Sequence, residues 1–475
     1  MPDVPVPIQL PEKVLQFGTG ILLRGLPDYF IDKANRQGVF GGKIVVIKST
    51  PGSVEDFEKQ KFQFTTCIRG IDQGKKVEEN IVNTAISRVL TAREQWPEIL
   101  KAASQPALQV IISNTTEVGI QFEPESIAQS PPKSFPAKLT SLLYARFKTL
   151  GNKSAELAVI PTELVPDNGK QLRNIVLQLT AHNQLEKEFD HWLSEKVFFC
   201  SSLVDRIVTR PSETVKASLK DYNSLTIQAE PYKLWAIEGG EKIRKILSFS
   251  AADEGVIIAE NIEYYRERKI RLLNGTHTIS VCLGYLIGLE TVYECMQNKE
   301  MSSLIESVML REIEPTLSLG ARDEYRQFAL DVLDRFRNPY TAHRLLSITL
   351  QATAKMKMRN VPTFFRYAEQ FQNVPDLLAK GFAAYLLFMK ATHHENANYF
   401  GSRRGEPYSI QDDQAAYFYE AWKSVRPGVE SLQHFVRKVC QNTALWDKDL
   451  TQLPKFADAV SKHLEELMNV VNSRL

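Results

Sequence analysis

Paired cysteines are the first thing this sequence lacks. Its five cysteines, Cys67, Cys200, Cys282, Cys295 and Cys440, are scattered and include no CxxC pair. That pattern argues against a thiolate zinc site and fits reduced thiols in a cytosol. No run of about 18 apolar residues is present, so no membrane-spanning helix is expected. The opening stretch, MPDVPVPIQLPEKVLQFG, has no basic segment followed by an apolar one, and the expectation is a cytoplasmic chain. Charge of one sign is also missing. Lys plus Arg number 58 against 56 Asp plus Glu, a net +2, which gives no overall field for nucleic acid or an anionic membrane. Any anionic ligand must be held by a local group of charges.

What remains is an ordinary globular composition, 43% hydrophobic and 24% charged, over 475 residues, long enough for two cores. Short β-branched runs at residues 13–17 (KVLQF), 43–47 (KIVVI) and 108–112 (LQVII) do not alternate polar with apolar. Strands buried on both faces of a parallel sheet read this way, with helices such as residues 28–37 packed outside. Further strands are expected at 157–160, 197–199 and 256–259. From about Tyr264 helical patterns dominate, with turns at Asn338-Pro339 and Val361-Pro362. The reading is an α/β domain over residues 1–262 and a mostly α-helical domain over 263–475. Residues 393–413 form the longest polar irregular stretch of the second half, expected as a loop that is either a functional flap or a surface excursion.

Residues 17–25, FGTGILLRG, follow an expected strand and precede an expected helix, the context of a phosphate-cradling glycine loop. Gly18 would permit the tight turn and Gly20 the approach of backbone to a pyrophosphate. The spacing is GxGxxxxG, longer than the common GxGxxG, and Pro27 suits a first helical turn. A plain strand-to-helix turn would read the same way. As a cofactor site the segment contributes Phe17, Gly18, Gly20, Ile21, Leu22 and Arg24. The second strand ends at Lys48 with no acid to grip adenosine ribose hydroxyls, which leaves NAD and NADP both open. The third runs into Ser113, Asn114, Thr115, Thr116 and Glu117, polar groups able to bond ribose or carboxamide, or simply to satisfy a turn.

On a straight α-helix over residues 269–277 (KIRLLNGTH), Lys269, His277 and Asn274 fall at about 0°, 80° and 140° and share a face. A lysine, an amide and an imidazole so placed can act as proton carrier, carbonyl-polarising donor and second donor. A surface lysine and a structural histidine would fit the same pattern. Arg268 and Arg271 project to the other side, toward solvent or a partner carboxylate.

Lys269, Asn274 and His277 match the KxxxxNxxH pattern of the polyol-specific long-chain dehydrogenases, the mannitol dehydrogenase family, which this sequence resembles over nearly its whole length. Residues 197–209 (VFFCSSLVDRIVT) are similar to that family's signature, departing at Thr209, and FGTGILLR, SNTTEVGI, Asp167-Asn168 and LWAIEGG add to the likeness. The resemblance implies an extended Rossmann-type domain followed by a helical substrate domain. It also implies a metal-independent oxidoreductase in which Lys269 is the acid/base, Asn168 and Asn274 hold the oxyanion, His277 orients substrate and Asp205 tunes the site. SNTTEVGI and RKIRLLNGTHT most resemble the sugar-acid branch of the family. That implies interconversion of D-tagaturonate and D-altronate with NAD(H), with fructuronate or a neutral polyol as the alternative. A nucleotide-binding regulator without turnover is the alternative of another class, and it would have no need of the proton-transfer set. Lys355 falls where relatives place a substrate lysine, while the arginine expected eight residues earlier is Ser347. His343, Arg344 and Lys355 are the candidates for the substrate carboxylate. The partner expected is thus a small sugar acid, with no metal, and the sequence sets no oligomeric state.

Overall fold

The computed structural model describes residues 10–115, 119–426 and 429–473. The chain forms two compact units, one of Met1–Gly70 with Lys76–Glu263, the other of Ile71–Lys75 with Tyr264–Leu475.

The first unit holds strands β1 (Glu12–Phe17), β2 (Lys43–Lys48), β3 (Phe64–Asp72), β4 (Lys75–Asn83), β5 (Ile86–Thr91), β6 (Val110–Ser113), β7 (Leu157–Pro161), β8 (Val197–Phe199), β9 (Ser202–Asp205), β10 (Val208–Thr209), β11 (Ile227–Ala229), β12 (Leu234–Glu238) and β13 (Val256–Ala259), with the tip of the β3–β4 hairpin counted to the second unit. Six of them make a parallel sheet in the order β5-β2-β1-β6-β7-β8. Counted within that sheet the order is 3-2-1-4-5-6, the doubly wound dinucleotide-binding arrangement. The non-alternating sequence of these strands now has its reason. Val14, Ile44, Val46, Val110, Ile112 and Ile160 pack into one core, while Leu15, Val45, Ile47, Ile111 and Val159 pack into a second on the opposite face. Both faces are dry, so both side-chain sets are apolar. Strand β5 escapes this rule. It lies at an edge, where Arg88 pairs with Glu12 at 2.8 Å, and its ISRVLT sequence carried no comparable signal.

The second unit is mostly helical. Thr276–Leu286 is buried along its whole length and crosses the equally apolar Asp376–Phe388 helix. Their backbones meet because Gly381 has no side chain; a Cβ there would lie 2.4 Å from the Ile279 carbonyl oxygen. Pro362 marks the first turn of helix Val361–Phe371 rather than a turn between elements, as its fixed φ allows. The expected loop at 393–413 is instead a three-stranded antiparallel sheet, β14 (His393–Glu395), β15 (Asn398–Arg403) and β16 (Glu406–Ile410). Arg404 and Gly405, at φ 53° and 82°, make a tight turn with both central residues left-handed, the geometry that matches strand twist. The polar composition of an exposed hairpin had hidden its strands.

Candidate functional site

The parallel sheet reverses its winding between β1 and β6, and ligands of such sheets bind in the crevice outside the carboxyl ends at that point. Here those ends are Phe17 and Ser113. The Gly18 N–H donates to Ile47 O at 3.0 Å and the Asn114 N–H to Phe17 O at 3.2 Å. Gly18 sits at φ +124°, and a Cβ would lie 2.9 Å from Leu23 Cδ1 and 3.3 Å from Asn114 O, so only glycine fits this turn. Gly20 is different: it is exposed, its backbone is extended, and a Cβ would meet nothing within 4 Å. Gly25 lets the following turn close on β10, where a Cβ would be 2.7 Å from Val208 methyls. The extra spacing between Gly20 and Gly25 is a helical turn, Ile21–Gly25, broken at Leu26 before helix Pro27–Arg36 begins. It is not a longer loop.

Not every residue expected at this crevice faces it. The Phe17 ring is buried edge-on to Phe135 at 5.0 Å, so only its backbone reaches the turn. Ile21 and Leu22 pack, half-buried, against the core beneath the turn. Arg24 departs from the exposed position expected of a phosphate ligand. Its guanidinium is buried, donates to Leu225 O and lies over the Phe57 and Phe64 rings, with its pKa lowered to about 10 by burial. In this arrangement the guanidinium is folded into the core and bonded to backbone rather than displayed to solvent. Lys48 ends β2 half-exposed, with its ammonium 3.2 Å from Thr50 Oγ1. Asn114 donates to Thr162 Oγ1 at 3.0 Å, and Thr115 donates through N and Oγ1 to Glu163 at 2.8 and 3.0 Å. Glu163, which also accepts from Ser113 Oγ at 3.1 Å, is a buried carboxylate at the ligand end of the sheet that the sequence did not single out. Thr116 and Glu117 lie outside the described residues.

Asn168, expected at an oxyanion, is 1% exposed and committed to the backbone. Its amide donates to Pro161 O, Glu163 O and Ser202 O at 3.1, 2.9 and 3.1 Å, and its oxygen accepts from Gly169 N and Ser202 N at 2.9 and 2.8 Å. These bonds exhaust the two N–H donors. In this arrangement Asn168 clamps the end of β7 to β9 and has no donor left for a reacting oxygen. Asp205 is buried at the end of β9, opposite Leu234 of β12.

In the second unit the segment carrying Lys269 is not a straight α-helix. Glu263–Arg268 is α-helical, Lys269–Gly275 is a π-helical turn, and Thr276–Leu286 is α-helical again. Since π-helical bonds join residues five apart, Lys269 and Asn274, at i and i+5, are brought closer to register than the α-helical spacing gave. Neighbouring groups hold this turn. Asn360 donates to Gly275 O at 3.0 Å, and Arg271 donates to Met358 O and Arg359 O at 2.7 and 2.8 Å while pairing with Glu267 at 3.1 Å. Arg271 thus met a carboxylate and not solvent.

Lys269 and Asn274 are half-buried and His277 is buried. The His277 ring stacks on Phe336 at 4.2 Å and meets His343 edge-on at 5.1 Å, and its Nε2 has no hydrogen-bond partner. Burial holds this imidazole well below its usual pKa, with His343, Arg335 and Arg359 adding to the fall, which favours its neutral form. Burial also lowers His343, with Arg335 and Lys355 adding to it. Lys355 donates to Ile348 O at 2.9 Å, whereas Arg344 is exposed at the start of a short helix and stands outside this group. Arg359, which the sequence reading passed over, joins it by donating to Thr278 Oγ1 at 3.1 Å. Among the described residues, no three His, Cys, Asp or Glu side chains are grouped to hold a metal, and no helix is long and apolar enough to cross a membrane.

The family model described as the mannitol dehydrogenase Rossmann domain matches residues 12–248, and that described as the mannitol dehydrogenase C-terminal domain matches residues 261–468. The chain belongs to the mannitol dehydrogenase family. Relatives within that family include proteins named altronate oxidoreductase from Halalkalibacterium halodurans, 37% identical over 96% of this chain and 91% of its own. Those from Yersinia enterocolitica and Bacillus subtilis are 36% and 35% identical over 97% of this chain, covering 95% and 93% of theirs. The fold is shared with the ternary complex of Pseudomonas fluorescens mannitol 2-dehydrogenase with NAD and D-mannitol, at TM-score 0.67 and 21% identity over 100% of this chain and 96% of that one. It is shared too with a substrate-free D-sorbitol dehydrogenase, at TM-score 0.79 and 18% identity over 98% and 95%. Membership of the mannitol dehydrogenase family makes the chain an oxidoreductase of CH–OH groups.

Proposed function

We propose that this chain interconverts D-tagaturonate and D-altronate with NAD(H), using Lys269 as the proton carrier. The observation that carries the reading is the near-full-length likeness to proteins named altronate oxidoreductase. A second support is physical: the basic group around His277 suits an anionic sugar better than a neutral polyol. The first unit fits a dinucleotide at the Gly18–Gly20 turn, where the exposed, unobstructed Gly20 leaves room for a pyrophosphate against the backbone. Hydride is what the bound nicotinamide supplies. In reduction, the Lys269 ammonium gives a proton to the oxygen that becomes the hydroxyl, and in oxidation the neutral amine takes it back. Asn274 donates an N–H to the same oxygen as charge develops there. Neutral His277 offers its unpartnered Nε2 to a substrate hydroxyl, orienting the chain of carbons.

Initial rates on tagaturonate, fructuronate and fructose, each with NADH and with NADPH, test the assignment. Tagaturonate with NADH is expected to give the highest kcat/KM, and prior treatment with EDTA should leave that rate intact. Equal or better turnover of fructuronate would overturn the substrate, and a divalent ion restoring a chelated enzyme would overturn the lysine mechanism.

The cofactor turn has its own test in Gly20→Val. Because Gly20 is extended and nothing lies near its missing Cβ, stability should change by no more than about 0.5 kcal/mol. NADH affinity, read by fluorescence titration, should fall by roughly tenfold or more as the side chain displaces the pyrophosphate. An unchanged affinity would move the pyrophosphate off this turn.

A further inference from the structure

Carboxylate recognition is the part of the substrate that neither the family's polyol chemistry nor the Lys269 set accounts for, and this step rests on the functional reading above. The second unit concentrates basic groups around His277. Arg359 reaches it from the helix Ala352–Arg359 and donates to Thr278 Oγ1 at 3.1 Å; Thr278 in turn donates to Asn274 O at 2.9 Å. One guanidinium nitrogen is therefore tied to the residue after His277, beside the amide proposed to hold the reacting oxygen. Lys355 lies one helical turn before Arg359 on the same helix. Among the described residues, neither Arg359 nor Lys355 forms an ion pair with a carboxylate. The acid whose field bears on Lys355 is Asp412, and its oxygens accept from Thr353 N, Thr353 Oγ1 and Gln414 N at 2.8, 2.8 and 2.9 Å.

Arg359 and Lys355 are half-buried, and cations withdrawn from water without counter-ions are costly unless a ligand supplies the charge. Arg359 is mostly withdrawn from water, which brings its pKa down to about 10 and still leaves it charged at neutral pH. His277 and His343, both pushed below the usual imidazole value, add hydrogen-bonding groups without further charge. The unpartnered Nε2 of His277 is the second, independent sign of a missing ligand, since it is a buried polar atom with nothing to bond. A planar fork, an ammonium one turn away and two neutral imidazoles together suit a carboxylate flanked by hydroxyls.

We propose that Arg359, assisted by Lys355, seats the carboxylate of the sugar acid and so separates keto-uronates from the neutral ketoses. Arg344, the candidate its sequence position suggested, takes no part.

The test compares Arg359→Met and Arg359→Lys with the parent enzyme on tagaturonate and on tagatose, its uncharged analogue, with NADH affinity and circular dichroism measured alongside. For Arg359→Met the ratio of kcat/KM for the acid over the neutral sugar should fall at least thirtyfold, carried by KM, while tagatose turnover stays within about threefold. Arg359→Lys, which keeps the charge but loses the fork, should lie between. A ratio unchanged in both variants, or equal losses on both sugars with NADH affinity retained, overturns the proposal and leaves the function standing. Should Arg359→Met fail to fold, the Lys variant decides by the same ratio. A parent enzyme that turns over no keto-uronate would overturn the functional reading itself, and this proposal with it.

Discussion

Replacing Lys269 by Met should lower kcat for altronate oxidation by about 10²–10⁴-fold, the range that positioned proton transfer contributes. NADH affinity should stay within about twofold, because the dinucleotide turn belongs to the other unit and Met keeps the length of the side chain without its proton. The π-helical turn sharpens the expectation. Lys269 and Asn274 stand at i and i+5 on it, a spacing that would let the proposed proton donor and the amide address one oxygen as a pair. Groups that act on one atom lose their effects together. Asn274→Ala should therefore cost far less in a Lys269→Met background than in the parent. Fluorescence titration of NADH and single-turnover rates on altronate make the measurement. A Met variant keeping a tenth or more of the parent turnover would show that Lys269 does not carry the proton.

The parts of the fold that the sequence made legible are those whose burial leaves one reading. Short, mostly apolar runs rich in β-branched residues mark strands, and β1, β2, β6, β7, β8 and β13 all lie within two residues of the ranges expected for them. Strands of mixed sequence were lost. The β3–β4 hairpin, edge strand β5 and the β14–β16 sheet mix polar and apolar residues as loops do. In the site, what sequence could carry was residue type at a spacing: Lys269, Asn274 and His277 in one segment, two glycines after a strand. Direction was beyond it. Arg24 and Asn168 have the chemistry of ligands, and only the packed structure shows the Arg24 guanidinium folded into the core beside Leu225 O and the Asn168 donors spent on the β7–β9 backbone. Arg359 escaped for the opposite reason, since an arginine at a helix end reads as solvated charge until its surroundings are known.

A second large effect is expected in stability, at Asp28 near the start of helix Pro27–Arg36. Asp28 is fully buried, and neither carboxyl oxygen has a hydrogen-bond partner. Burial drives its pKa up to about 8, against the opposing pull of Arg24 and of the Gln16 side chain, with Asp32 adding slightly to the rise. In the unfolded chain the same group ionises near 3.9. Between about pH 4 and 8 the folded chain therefore holds a proton that the unfolded chain has released. Stability is full below the unfolded value, declines as pH rises through this window, and the whole cost is felt above the folded value. Asp28→Asn fixes the neutral form in nearly the same shape, and its amide can donate to Gln16 Oε1, which has no partner. The variant should accordingly match the parent near pH 4 and exceed it at pH 8 by on the order of a few kcal/mol, roughly 5 °C or more in the melting temperature of the unit. Differential scanning calorimetry of both proteins from pH 4 to 8.5 reads the difference directly. A gap that stays constant across that range would mean that Asp28 is ionised throughout and that its pairing with Arg24 outweighs burial.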